Sequence, residues 1–349
     1  MHVNVLNFIL CIGLVLTIPA GYLHAAESKP PVHDFRTDTN EVETIKFDWK
    51  DEKRDRLVPV KIYFPKSGKG PFPVIIFSHG LGGSRDGYKY LGEYWASHGY
   101  VSVHLQHIGS DDSVWRDVPA AERMKALQRS TLNLQNAINR PQDVSFVINQ
   151  VEKLNKDDKD FKGWLDLARI GMAGHSFGAY TTLAIAGEVF VTLAGERSAP
   201  DPRVKAAIAM SAPVPRLKSQ YDVAFSKIKI PCFHMTGTKD NSPIGDTKAE
   251  DRRVPFDHIN GVDQYLITFE GGDHMIFSGR PRGLADDGKD AIFHKLICEN
   301  STAFWDAYLK GDAKAKGWLA AGGSEKILGH DGKMEKKLAG KADQLKVQK

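Results

Sequence analysis

Four short stretches carry residues whose chemistry could be joined: His79-Gly80-Leu81, Gly174-His175-Ser176-Phe177-Gly178, Asp240 and His274. A serine hydroxyl is a poor nucleophile near neutral pH and needs a base beside it. A histidine acting as that base needs an acceptor that fixes its tautomer and stabilises the imidazolium it becomes. Ser176 reads as the nucleophile, because the glycines two before and two after it leave room for a tight, strained turn. His274 reads as the base and Asp240 as the acceptor, with Asp246 a rival farther along the same loop. Asp273 adjoins His274, so its side chain is assigned a loop role. Charge developing on a carbonyl oxygen would need two donors, expected from the backbone N–H groups of Leu81 and Phe177. Together these groups would perform acyl transfer.

Such distant side chains meet only if the chain places them at one edge. Ile170 to Ala173 is a short apolar run ahead of the turn, and Ala179, Leu183, Ala184 and Ala186 come after it at helical spacing. Residues 71–78, 101–105, 204–210, 230–235 and 265–269 read as further strands. Residues 45–49 and 58–64 alternate as two half-buried strands. Tyr90, Leu91, Tyr94 and Trp95 share a helical face ended by Gly99, and Pro141 is expected to open another helix. Residues 120–139 are expected to form a helical cap. The alternation predicts an α/β fold, a mostly parallel sheet with helices on both faces, whose ligands bind beyond the carboxyl ends of the strands. Each of the four stretches comes directly after a strand. His107 also does so, and is expected to line the substrate pocket.

The 349 residues carry a formal net charge of +4, with both signs interspersed, which gives no reason to expect a nucleic-acid partner. Residues 3–20 are apolar and nearly uncharged, so residues 1–26 are expected to be a signal peptide, with an uncleaved anchor as the alternative. No other stretch is apolar enough to span a bilayer, and the address implied is secreted or periplasmic. Residues 27–40 read as a linker, 41–318 as the catalytic domain and 319–349 as a Lys/Gly-rich flexible tail. Cys232 and Cys298 sit in apolar surroundings, where a disulfide and two buried thiols are both open. His104, His107, Asp111 and Asp112 have no familiar zinc spacing, and Gly80-Leu-Gly-Gly-Ser84 lacks the Gly-Lys-Ser/Thr ending of a phosphate loop. No metal or nucleotide is expected. His234 and His294 are assigned to packing.

Phe77 to Gly83 and Gly174 to Ala179 together resemble the α/β-hydrolase superfamily, in its platelet-activating-factor acetylhydrolase and dienelactone-hydrolase-like branch, with cutinase-like polyester hydrolases as cousins. The resemblance covers roughly residues 45–309. It implies a cofactor-free serine hydrolase acting on a small-molecule or lipid ester, and supports Ser176, His274, Leu81 and Phe177 in their roles. Two departures stand out. Plasma-type acetylhydrolases carry the acid after the strand next to the nucleophile's own, where this chain reads Ala209-Met210-Ser211-Ala212-Pro213. Dienelactone hydrolases use one strand more, as Asp240 would, but attack with cysteine. A peptidase or acyltransferase with the same triad, and a silent binding protein on the same fold, remain open. Oligomeric state is not legible.

Overall fold

The computed structural model describes residues 33, 40–192, 195–280 and 288–340. The expected signal peptide and most of the linker lie outside them. In chain order the strands are β1 (Val42–Asp51), β2 (Arg56–Pro65), β3 (Phe72–Ser78), β4 (Val101–Leu105), β5 (Leu165–His175), β6 (Val189–Thr192), β7 (Gly195–Ser198), β8 (Val204–Met210), β9 (Cys232–Lys239), β10 (Gln264–Asp273) and β11 (Gly332–Lys337). The α-helices are α1 (Lys89–Ser97), α2 (Arg123–Ser130), α3 (Leu134–Asp157), α4 (Phe177–Ala186), α5 (Tyr221–Phe225), α6 (Val254–His258), α7 (Asp290–Trp305), α8 (Ala313–Ala320) and α9 (Gly323–Leu328).

Nine strands form one sheet in the order β1-β2-β4-β3-β5-β8-β9-β10-β11. The pairings from β4 through β10 are parallel, and β1, β2 and β11 close the edges antiparallel. The central strand β3 is buried along its whole length, as its continuous apolar run requires. Helices cover both faces. On one face Trp95, Phe233, Tyr265, Phe304 and Trp305 pack together; on the other, Val144, Val147, Ile148 and Val151 of α3 meet Val74, Ile76 and Val103. Trp95 Nε1 donates to Ser301 Oγ at 2.9 Å, satisfying the polar atom of a large buried ring.

Register decides the site. Ser78 of β3 lies level with Gly174 of β5, His175 with Met210 of β8, and Met210 with Met235 of β9. The residues immediately beyond these positions therefore emerge on one rim. Beyond Phe269 the pairing of β10 with β9 is irregular until Asp273. Gly271 takes φ 77° there, and Gly237 and Gly272 approach so closely that a Cβ on Gly237 would run into the Gly272 backbone. That contact draws the loops after β9 and β10 together.

Three features differ from the sequence-based expectation. Pro141 lies inside α3 and does not open it. Its missing N–H leaves the Ala137 carbonyl without a helical donor, and the Tyr180 hydroxyl approaches that carbonyl at 3.4 Å. Residues 319–337 are folded, contrary to the expected tail. Leu328 of α9 and Met334 of β11 join the core, and β11 pairs with β10 from Gln264↔Lys337 to Phe269↔Gly332. Lysines suit an edge strand, which must discourage further pairing, so a Lys-rich hexamer here is no sign of disorder. The β6–β7 hairpin was not anticipated.

Candidate active site

Ser176 sits between β5 and α4 with φ 56° and ψ −116°, a strained conformation for a residue with a Cβ. The turn is tight because α4 starts directly over the sheet. A Cβ on Gly178 would collide with the Ser78 carbonyl, and one on Gly174 with the Gly178 backbone. Both glycines are therefore steric requirements of the turn.

His274 Nε2 lies 2.9 Å from Ser176 Oγ, and His274 Nδ1 lies 2.7 Å from Asp240 Oδ1. With Nδ1–H donating to the carboxylate, Nε2 is left as acceptor for the serine hydroxyl. Asp240 is fully buried. Its Oδ2 accepts from Ser211 Oγ at 2.5 Å and Thr236 Oγ1 at 2.8 Å. Ser211 follows β8 directly, at the place where the resemblance to plasma-type acetylhydrolases would put a carboxylate. In this chain that position holds a hydroxyl that supports the acid on the next strand. Asp246 is exposed and pairs with Arg216 at 3.4 Å, away from the histidine. Asp273 accepts from the Met275 N–H, the expected loop role. His234 bonds Gln264 within the core and His294 stacks on Tyr90.

Two neighbours carried no sequence signal. Arg252 is buried and spans the loops: Nε donates to the Asp240 carbonyl at 3.2 Å, and Nη1 to the Ser211 and Ala212 carbonyls at 2.9 Å each. Its Nη2 comes within 3.4 Å of His274 Nδ1, an atom already donating to Asp240, so that approach is a contact without a hydrogen bond. Arg252 thus clamps the acid's main chain. The second is His175, inside the motif itself. Gly80 N–H donates to the Tyr88 hydroxyl at 3.2 Å, that hydroxyl lies 2.8 Å from His175 Nδ1, and His175 Nε2 lies 2.9 Å from the His274 carbonyl. Burial pushes His175 well below the ordinary histidine range, so the ring is neutral. The chain of bonds then runs one way, tying the loop after β3, the turn at Ser176 and the loop of His274.

The loop after β3 rests on a buried polar network. Arg140 is fully buried, donates to Ser78 Oγ, Ser110 Oγ, Thr181 Oγ1 and the His79 carbonyl, and lies 4.4 Å over the Phe177 ring. Burial lowers its guanidinium to about 9. His107 belongs to this network: Nε2 meets Ser78 Oγ at 2.9 Å and Nδ1 meets Asp143 Oδ2 at 3.0 Å. It has no exposed surface and does not line the pocket, which corrects the sequence-based expectation. A histidine after a strand can turn under the rim as readily as over it. Burial alone would raise the Asp143 carboxyl, but hydrogen bonds from His107 and Arg56 bring it down to about 2.

Five buried histidines give the fold a definite acid response. Burial lowers His104 to about 3, His107 and His234 to about 4, and His79 and His175 well below their ordinary value. These folded values lie below the unfolded value of about 6.5, so as pH falls the unfolded chain takes up protons first. Their contribution is complete above about 6.5 and is lost as pH falls toward 4. Each histidine supplies a slope of up to about 1.4 kcal/mol per pH unit. The melting temperature should therefore fall steadily from about pH 7 to pH 5; a flat profile there would contradict the buried neutral histidines.

Above Ser176 lies a pocket of about 260 Å³, lined by Leu81, Leu134, Ala137, Phe177, Tyr180 and Ile244 among others. The α2–α3 corner contributes Thr131, Asn133 and Leu134 to the lining, and Leu134 is exposed there. Leu81 and Phe177, whose main-chain N–H groups were expected as donors, both line the pocket with Ser176. Cys232 and Cys298 are buried free thiols. Among the described residues no group of three His, Cys, Asp or Glu side chains could hold a metal, and no helix is long and apolar enough to cross a membrane.

A mostly parallel sheet, a strained serine on the β5–α4 turn and a histidine–aspartate pair on the loops after β10 and β9 occur together here. The fold is that of the α/β-hydrolases. The family described as platelet-activating factor acetylhydrolase, isoform II, matches residues 55–137. Platelet-activating factor acetylhydrolase of Cavia porcellus is 26% identical over 308 residues, 78% of this chain and 66% of that protein. The enzyme of Canis lupus familiaris is 26% identical over 233 residues, covering 59% of this chain and 48% of its own length. That of Bos taurus is 25% identical over 235 residues, with 59% and 48% covered. The chain therefore spans between about half and two thirds of the length of these relatives. The match at residues 55–137 holds the loop after β3 and His107 beneath it, and ends before Arg140 and Ser176.

Proposed function

We propose that this α/β-hydrolase is a serine carboxylic-ester hydrolase. The observation that carries the reading is the relay of 2.7 Å and 2.9 Å from Asp240 through His274 to Ser176, opening into an apolar pocket. Ser176 Oγ attacks the ester carbonyl as His274 Nε2 takes its proton. The oxyanion accepts hydrogen bonds from the N–H groups of Leu81 and Phe177, aided by the positive end of α4. Collapse expels the alcohol, which takes the proton from His274. Water then repeats the cycle on the acyl-enzyme and frees the acid. Asp240 keeps its hydrogen bond to Nδ1 and holds the imidazolium in place.

The pocket falls just below the usual range of ligand sites, roughly 300–1,000 Å³, which favours short acyl groups on small or lipid-like esters. The named relatives are acetylhydrolases, which agrees with a short acyl chain. The apolar stretch at residues 3–20 supports export, hence a secreted or periplasmic enzyme. A panel of p-nitrophenyl esters from acetate to palmitate, with matched anilides, tests the reading. kcat/KM should be highest for the two- to four-carbon esters and far lower for the anilides. Faster cleavage of anilides would favour a peptidase instead.

A further inference from the structure

Next to the pocket over Ser176 lies a second one of about 230 Å³. Tyr180 and Pro213 line both, so the two are neighbours across a shared wall. Phe190, Val191, Val214 and Gln220 contribute to the second pocket, and so does Glu188. Glu188 is only 4% exposed. Among the described residues no side chain or N–H group bonds its carboxyl, and no lysine or arginine lines the pocket. The Tyr180 phenol is the other titratable group in the lining, and it lies within electrostatic reach of Arg140.

Among the described residues no partner accounts for a carboxyl here. Glu188 comes directly after Gly187, the C-cap of α4, where the helix dipole disfavours an anion. An unpaired buried carboxyl costs stability that glutamine or leucine would not. Burial pushes it up to about 8, so the empty pocket holds it largely protonated near neutral pH. The walls, by contrast, suit a cation: the Tyr180 and Phe190 rings lie 5.1 Å apart between centroids, beside prolines and valine. Aromatic faces with one carboxylate are the chemistry that recognises a substituted ammonium.

We propose that this pocket is a subsite for an alkylammonium group on the substrate, with Glu188 as counter-ion and Tyr180 and Phe190 as walls. The inference rests on the ester-hydrolase reading of Ser176 and names the class of ester the site prefers. On arrival of the cation the carboxyl gives its proton to solvent, so the preference strengthens as pH rises through about 8.

The test has two arms, both run on the alkaline side of that value. In the first, acetate esters of 2-(trimethylammonio)ethanol and of its uncharged carbon isostere 3,3-dimethylbutanol are compared, together with esters bearing the same two groups on the acyl side. The cationic ester of one pair should exceed its isostere in kcat/KM on the order of tenfold. That ratio should fall toward parity in Glu188→Gln and drop in Phe190→Ala, a half-buried position that reports even if the glutamate variant fails to fold. In the second arm, tetramethylammonium binding is titrated directly, and should weaken in both variants. Hydrolysis without cation preference, or tetramethylammonium binding indifferent to both substitutions, would overturn the subsite and leave the hydrolase standing. Glu188-dependent binding without hydrolysis of any ester would keep the subsite and remove the hydrolase.

Discussion

Ser176→Ala should lower ester hydrolysis by about a million-fold in kcat while the protein stays folded. The size reflects the loss of the atom that forms the acyl bond, with no substitute nearby. The remaining rate should still exceed that in water, because main-chain donors and the pocket persist. The fold should survive, because alanine removes one half-buried hydroxyl and relieves none of the surrounding packing. His274→Ala should cost nearly as much, and the double variant should be little worse than either alone, since a nucleophile and its base act as one unit. Burst kinetics and far-ultraviolet dichroism on the three variants check this. Additive losses would mean that the two residues work separately.

Asp240→Asn should reduce kcat by about ten-thousand-fold with a small change in KM. The substitution keeps size and shape but presents an amide whose N–H₂ can face His274 Nδ1, favouring the tautomer that leaves a proton on Nε2. The base then cannot accept from Ser176. In this chain the effect should be sharpened by the surroundings: Ser211 and Thr236 both donate to Oδ2, so an amide must keep its oxygen there and turn its nitrogen toward the histidine. Steady-state kinetics across pH would show it, with activity partly recovered at high pH, where hydroxide can take the serine proton in the histidine's place. A loss below about tenfold would point to another acceptor, and Asp246 is too exposed to be one.

Much of this was readable in the chain because parallel α/β sheets obey a simple rule: a residue just past the carboxyl end of a strand lies at the ligand edge. Ser176, Asp240 and His274 come directly after β5, β9 and β10, and the register of those strands levels their ends. The same rule misplaced His107, which lies just past β4 but bends beneath the rim to Ser78 and Asp143. One residue's position after a strand fixes its height and leaves its direction to the loop. Arg140 and Arg252 had no signal, since most arginines are exposed; a buried one becomes visible only when carbonyls from distant segments converge on it. The closing strand β11 was missed for a related reason. Its composition is that of a solvated tail, and one buried methionine with an antiparallel partner makes it structure. Pro141 misled as a helix start because a tyrosine from α4 approaches the carbonyl it strands.

The arrangement also places the acid in an instructive way. Asp240 reaches His274 from the end of β9, while the end of β8, where the resemblance to plasma-type acetylhydrolases would put the acid, holds Ser211, itself at φ 53°. Two strand ends whose backbones nearly touch at Gly237 and Gly272 set the pair's separation, and Arg252 fixes the Asp240 main chain from behind. The side chains that meet at the serine are thus held by close backbone contact more than by their own packing.

Labelling with a fluorophosphonate, with peptide mass spectrometry of the product, asks most directly whether Ser176 is an activated nucleophile. The account predicts one phosphonate per chain on Ser176, formed in parallel with loss of esterase activity, and labelling slowed by orders of magnitude in His274→Ala. Modification of another residue, or an unlabelled Ser176 in a folded protein that hydrolyses esters, would contradict it.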